Sequence, residues 1–207
     1  MDQTTSGSPN GTEACYGVAM RHLTMSVLLA CVLGGPLTAQ DASPTSAEQA
    51  LIESAFNGKL EEVQRLVAAG AVVDAGDPEQ RTSLMWAAFN GHTTVVSYLL
   101  EKGAKLGARD SNGRTALMYA SSGPFAETVE LLLKKGAEVN VQGKLEGFTA
   151  LMTAASEGQL DVVRILLAHG ADPALEDEDG DTAKSFAEQN GHSAVVAVLE
   201  NPPAAGK

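Results

Sequence analysis

The side chains of this chain that could do chemistry are four histidines, two cysteines and a surplus of carboxylates, and they form no catalytic set. His92 and His192 each follow a glycine at the same point of a repeating pattern, which makes them turn-stabilising hydrogen-bond partners rather than bases. His169 precedes Gly170, where a cation suits the C-terminal end of a helix. Cys15 and Cys31 both lie ahead of the patterned region, which therefore has neither a disulfide nor a thiol nucleophile and suits either redox compartment. No serine or cysteine is spaced with a base and an orienting acid, and no glycine-rich phosphate loop occurs. Residues 176–181 carry five acids in six positions but lack the spacing and the terminal bidentate Glu of a calcium loop. Solvated negative surface is the expectation there, weak Ca²⁺ binding the alternative. No enzyme activity and no cofactor are expected.

What remains is recognition. Trp86, the only tryptophan, lies one period ahead of Tyr119, and Phe89 lies three residues beyond Trp86. Large aromatic side chains on an exposed face are the usual anchors of protein interfaces. The alternative is that Trp86 and Phe89 pack on neighbouring turns and finish the core. Arg81 and Arg114 occupy equivalent positions in the turns between units, as do Phe148 and Asp181. Trp86, Phe89, Tyr119, Arg81, Arg114 and Phe148 are the candidate partner-binding residues.

The elements that position them recur. Thr82, Thr115, Thr149 and Thr182 are separated by 33, 34 and 33 residues; Gly70, Gly103, Gly136 and Gly170 by 33, 33 and 34. One extra residue in the loop around Gly143–Gly147 accounts for both irregular steps. An insertion between elements keeps the helices in phase, whereas one inside a helix would rotate its apolar face away. The threonines are helix N-caps, whose hydroxyls accept orphan backbone N–H groups. Gly91, Gly158 and Gly191 end first helices. Val95, Val96, Leu99 and Leu100 form one broad apolar stripe of a second helix, closed by Gly103. The alanine pairs 87–88 and 154–155 let neighbouring helices approach closely. No single helix pair can bury both of its apolar sides, so the units must stack.

The pattern T-x-L-M-x-A-A…G-H…V-V-x-x-L-L-x-x-G-A at this period resembles the ankyrin repeat family over essentially all of residues 46–200. The resemblance implies an all-α, ankyrin-type solenoid of about five stacked helix–turn–helix repeats with short hairpin-like fingers. It also implies that the first helices line a binding groove. The family's T-P-L-H tetrapeptide reads Thr-Ser-Leu-Met at residues 82–85 and Thr-Ala-Leu-Met at 115–118 and 149–152. Methionine thus replaces the imidazole that braces the threonine hydroxyl. The expected units are 46–77, 78–110, 111–144, 145–177 and 178–200. In the first, Ala50, Leu51, Ala55 and Phe56 should face inward; in the third, Pro124 should shift or stiffen the turn. In the last, Lys184 and Ser185 replace Leu and Met on the outer face, as a terminal unit requires. Residues 201–207 read as a flexible tail.

Residues 1–39 read as an N-terminal extension and signal peptide. Arg21 gives a basic start, an apolar run follows, and Ala39 is a small residue at the expected cleavage point. Translation starting at Met20 is expected. Leu28-Leu29-Ala30-Cys31 resembles a lipobox, so lipidation at Cys31 is one alternative and an uncleaved apolar helix another. A net charge of −12 argues against non-specific nucleic-acid binding, which needs Lys and Arg to neutralise phosphates. It also leaves no basic amphipathic face for anionic lipid, so no membrane contact is expected unless Cys31 is lipidated. The chain reads as a periplasmic or secreted protein-binding module, its partner one or more proteins with basic residues. A chaperone-like protector of one partner enzyme and a weak metal-binding protein are the alternatives.

Overall fold

The computed structural model describes residues 45–202. The expected export segment, with Met20, Cys31 and Ala39, and all but the start of the 201–207 tail lie outside the described residues. Ten α-helices follow one another in five pairs among the described residues. They are α1 Ser46–Phe56, α2 Leu60–Ala68, α3 Ser83–Phe89, α4 Thr93–Glu101, α5 Ala116–Ser121, α6 Ala126–Lys134, α7 Ala150–Ser156, α8 Leu160–Ala168, α9 Ala183–Gln189 and α10 Ser193–Glu200. Each first helix packs on its own second helix and on the first helices of adjacent pairs, giving an all-α solenoid.

The helices begin where the threonines stand. Thr82, Thr115, Thr149 and Thr182 have extended backbones, and each hydroxyl accepts the N–H three residues on. The methionine in place of the family's imidazole has a use of its own. The Thr82 N–H donates to Met85 Sδ and the Thr149 N–H to Met152 Sδ, both at 3.4 Å. Ser185 Oγ takes that part for Thr182 at 3.2 Å. The reciprocal cap therefore survives the substitution in these units.

Short first helices stay in register because their inner faces are small and completely covered. Ala87, Ala88, Ala154 and Ala155 are fully buried, and Leu84, Leu117 and Leu151 repeat beside them. Leu99, Leu132 and Leu166 continue the core down the second-helix row. Each such leucine contributes roughly 1.5–3 kcal/mol by burial. Ser83, at the position of the family's proline, is fully buried with an unpartnered hydroxyl.

Four features depart from or refine the expectations. Helix α1 begins earlier than the repeat would place it, capped by Thr45, with the Thr45 N–H donating to Glu48 Oε2 at 2.8 Å. Glu48 is buried there. Phe56 does not face inward: it is 39% exposed, at the end of α1, because it turns toward the side chains of α3. His92 and His192 do not brace their own turns. Their Nε2 atoms lie 3.0 Å from the carbonyl oxygens of Phe56 and Ser156 in the preceding unit, so they stitch units together. Phe125 holds the same repeat position in unit three, its ring against Gly91 as the His92 ring lies against Gly58. A Cβ on either glycine would collide with that ring. Around Pro124, α5 is the shortest of the described helices, six residues against seven for α3 and α7.

Between units the chain makes tight fingers closed by one backbone hydrogen bond at the base. Asp77 N–H donates to Arg81 O, Asp110 N–H to Arg114 O and Asp177 N–H to Asp181 O, each at 3.0 Å. In finger three Gly143 N–H reaches Phe148 O at 2.9 Å, so the extra residue is absorbed inside the finger. Each finger is tied to the next: Ser111 N–H to Glu79 O, Lys144 N–H to Asn112 O and Glu178 N–H to Glu146 O, at 2.9, 2.8 and 3.2 Å.

Candidate protein-binding site

Helices α1, α3 and α5 bring four aromatic rings together. Trp86 meets Phe56 edge-to-face at 5.4 Å, Phe89 edge-to-face at 5.9 Å and Tyr119 at 6.3 Å between centroids. Phe89 closes the group on Tyr119 at 6.1 Å. Trp86, Phe89 and Tyr119 are half-buried, and Phe56 is the most open. Such edge-to-face pairs add about 0.5–1.5 kcal/mol beyond their buried area. The rings therefore support one another and still present apolar edges to solvent, a combination between the two alternatives that the sequence leaves open.

The two arginines join this cluster, but not as free fingertips. Asp77 Oδ1 accepts the N–H groups of Glu79 (3.1 Å) and Arg81 (2.9 Å), while Oδ2 accepts Arg81 Nε (2.7 Å) and Trp86 Nε1 (3.3 Å). One period on, Asp110 Oδ1 accepts the N–H groups of Asn112 (2.9 Å) and Arg114 (2.8 Å). Its Oδ2 accepts Arg114 Nε (3.3 Å) and Tyr119 Oη (2.7 Å). Each guanidinium then lies over the ring that shares its aspartate, Arg81 at 4.6 Å from Trp86 and Arg114 at 5.4 Å from Tyr119. Arg81 is held further by Glu79 at 2.8 Å. Burial first, and then the hydrogen bond to Asp110, push the Tyr119 phenol well above its ordinary pKa. An aspartate, an arginine four residues on and an aromatic nine residues on thus form one motif, written twice.

The motif breaks after unit three. In finger three Gly143 stands in the aspartate position, and the Gln142 amide bridges Gly147 O and Glu176 O instead, at 3.0 and 2.8 Å. Phe148, the last of the candidate residues, is not part of the four-ring cluster. It packs edge-to-face on Phe186 at 4.9 Å, and both rings are half-buried. In finger four Asp177 Oδ1 keeps its two backbone donors, Asp179 N–H and Asp181 N–H, at 3.0 and 2.8 Å. Asp181 stands where the arginines were and Phe186 where Trp86 and Tyr119 were. No ion pair to Glu176, Asp177, Glu178, Asp179 or Asp181 occurs among the described residues. Nor is any group of three or more His, Cys, Asp or Glu side chains placed to hold a metal ion among them.

Two participants go beyond the sequence-level candidates. Phe56 enters through its contact with Trp86. Leu145, 64% exposed in the lengthened finger, is the most exposed large apolar residue described. The Asp-to-aromatic spacing of nine, repeated at 77/86 and 110/119, was the signal for the first finger pair. Lys134 and His169 both approach Glu130, at 2.9 and 3.3 Å, and Lys134 above all holds its carboxyl below the usual value. No helix among the described residues is long and apolar enough to cross a membrane.

The family model for ankyrin repeats matches the chain three times, over residues 24–110, 51–143 and 125–204. No curated protein matches it.

Proposed function

The chain belongs to the ankyrin repeat family, whose repeats act generally as non-catalytic protein-binding modules, and on that premise we propose that it docks one partner protein outside the cytoplasm. The observation that carries the reading is the half-open cluster of Phe56, Trp86, Phe89 and Tyr119 across three successive first helices. A rigid aromatic surface binds at low entropic cost, because its side chains are already held in place. The polar counterpart is finger four. There the Asp–Arg–aromatic motif has lost its cation, so a basic residue of the partner would sit between Asp177, Asp181 and Phe186 as Arg81 sits between Asp77 and Trp86. The partner is therefore a protein with an apolar segment and, about three repeats away, a basic one. At roughly 10 Å per packed helix row this separation is about 30 Å. Surrounding carboxylates raise the encounter rate with such a partner. Phe148 and Leu145 would border the basic end.

Export rests on the pattern of residues 20–39. N-terminal sequencing of the mature protein should begin at Gln40; a lipid-modified Cys31 would make it a lipoprotein instead, and an intact Met1 or Met20 would refute export by cleavage. For the binding face, affinity capture from the exported fraction should lose its partners in Trp86→Ala plus Tyr119→Ala. A Phe89→Ala variant, which disturbs no aspartate, guards against misfolding. Equal recovery by folded variants and wild type would refute the aromatic anchor.

A further inference from the structure

A second place in the fold has an open cleft and a donor without a partner. Just after the glycine that ends the second helix in units one, two and four, one backbone N–H is taken by an oxygen of a side chain from elsewhere in the stack. Lys105 N–H donates to Asp74 Oδ1 at 2.8 Å and Asp172 N–H to Asn140 Oδ1 at 2.9 Å. In unit one, Val72 N–H donates to Glu48 Oε1 at 3.3 Å. The equivalent group in unit three is Glu138 N–H, and it has no partner among the described residues. The reason is one residue: where units one and three have Asp74 and Asn140, unit two has Gly107. A Cβ at Gly107 would meet no heavy atom within 4 Å, so the missing side chain leaves space. That space is a cleft of about 390 Å³ lined by Leu106, Gly107, Arg109, Leu117, Glu138 and Val141, among others.

We infer that this cleft between units two and three binds a carboxylate carried on a short apolar stem. The class of ligand comes from the molecule itself, since the sister N–H groups take carboxylate or carboxamide oxygens. Arg109 decides between those two. Its equivalents are Gly76, Gln142 and Glu176, and it alone places a cation at the rim, where Nη1 donates to Gln142 O at 3.3 Å. It makes no ion pair among the described residues. A guanidinium and a backbone N–H together favour a charged acceptor, because charge-assisted hydrogen bonds are roughly twice as strong as neutral ones. Leu106, Leu117 and Val141 supply the wall for the stem. The bound carboxylate would complete the junction of units two and three, which lacks this tie among the described residues.

Two sources offer this chemistry, a free small acid and an acidic side chain of another protein. Amide resonances of the isotope-labelled chain should be followed during titration with 4-methylpentanoate and, separately, with an acetylated, amidated Leu-Glu dipeptide. Saturable movement of the Glu138 N–H signal by either probe supports the site, and the tighter probe identifies the source. The corresponding carboxamides should bind about tenfold more weakly, the loss expected for about 1.4 kcal/mol. Gly107→Asp supplies an internal carboxylate and should reduce the affinity of both probes about tenfold or more while the fold persists. Arg109→Gln, a change at an exposed side chain, should weaken the acids and leave the carboxamides unaffected. No saturable movement with either probe, or unchanged affinity in Gly107→Asp, would overturn the assignment.

Discussion

Gln80 is the one non-glycine residue with a positive φ among those described, at 62°, and the positions equivalent to it in fingers two and four are Gly113 and Gly180, at 77° and 83°. A non-glycine residue in this region costs roughly 1–2 kcal/mol. Gly180→Ala isolates that cost, since its Cβ would meet open space. Alanine also loses less freedom on folding than glycine, which returns about 0.4–1 kcal/mol. A net loss of about 1 kcal/mol follows. Gly113→Ala adds a collision, because its Cβ would lie 2.8 Å from the Lys144 backbone nitrogen. That nitrogen also donates the hydrogen bond to Asn112 O that ties finger two to finger three. Losing it adds about 1 kcal/mol, for a total of about 2–3 kcal/mol. Gln80→Gly runs the comparison backwards and should gain about 0.5–1 kcal/mol. Urea unfolding followed by far-UV circular dichroism measures all three. Each variant should also be fitted with a nearest-neighbour repeat model, so that fraying of unit five is not mistaken for global loss. Equal losses for Gly113→Ala and Gly180→Ala, or a less stable Gln80→Gly, would refute the reasoning.

Ser83→Ala removes a buried hydroxyl that has no partner and should raise the thermal midpoint, by about 1 kcal/mol in stability. A fall in the midpoint would mean that the hydroxyl is satisfied. Tyr119 bears on alkaline stability: its phenol is raised in the fold, so the contribution of the neutral form is whole below the unfolded value of about 10 and is lost as pH climbs above it. Thermal melts at rising alkaline pH should show a steeper loss in wild type than in Tyr119→Phe, and parallel curves would contradict the sign. His92→Phe copies the Phe125 junction and, with Asn90 Nδ2 still donating to Phe56 O at 2.7 Å, should cost less than about 1 kcal/mol. His92→Ala also empties the contact with Gly58 and should cost about 1–2 kcal/mol by calorimetry. The reverse order would show that the ring is not what fills the junction.

The repeat was legible because its carriers act locally. A threonine caps the helix that begins beside it, and a leucine stripe reports one face, so phase and pairing need only spacing. The single inserted residue was legible for the same reason and appears in finger three as expected. The arginines were not. Asp77 and Arg81 stand four apart, which on a helix means neighbouring side chains, but here they meet across a hairpin tip whose geometry no local rule announces. Hence Arg81 and Arg114 read as free contacts, although they are bound to their own aspartates and rings. Phe56 misled because apolar character alone placed it inside, whereas it ends its helix one period before Phe89 and shares that residue's column, which faces the aromatic cluster. Gly107 was silent for a different cause: what matters there is a side chain that is absent, in a column where Asp74 and Asn140 act on the next unit.

The lengthened finger has a consequence for engineering. Its base still closes, Lys144 N–H still meets finger two and Glu146 O still meets finger four, so the added length is spent at the tip where Leu145 projects. Helix phase on either side never registers it. A short foreign epitope grafted at Leu145 would therefore be displayed in mid-array without a change to any buried contact, and this solenoid could carry cargo at that loop as readily as it carries its own extra residue.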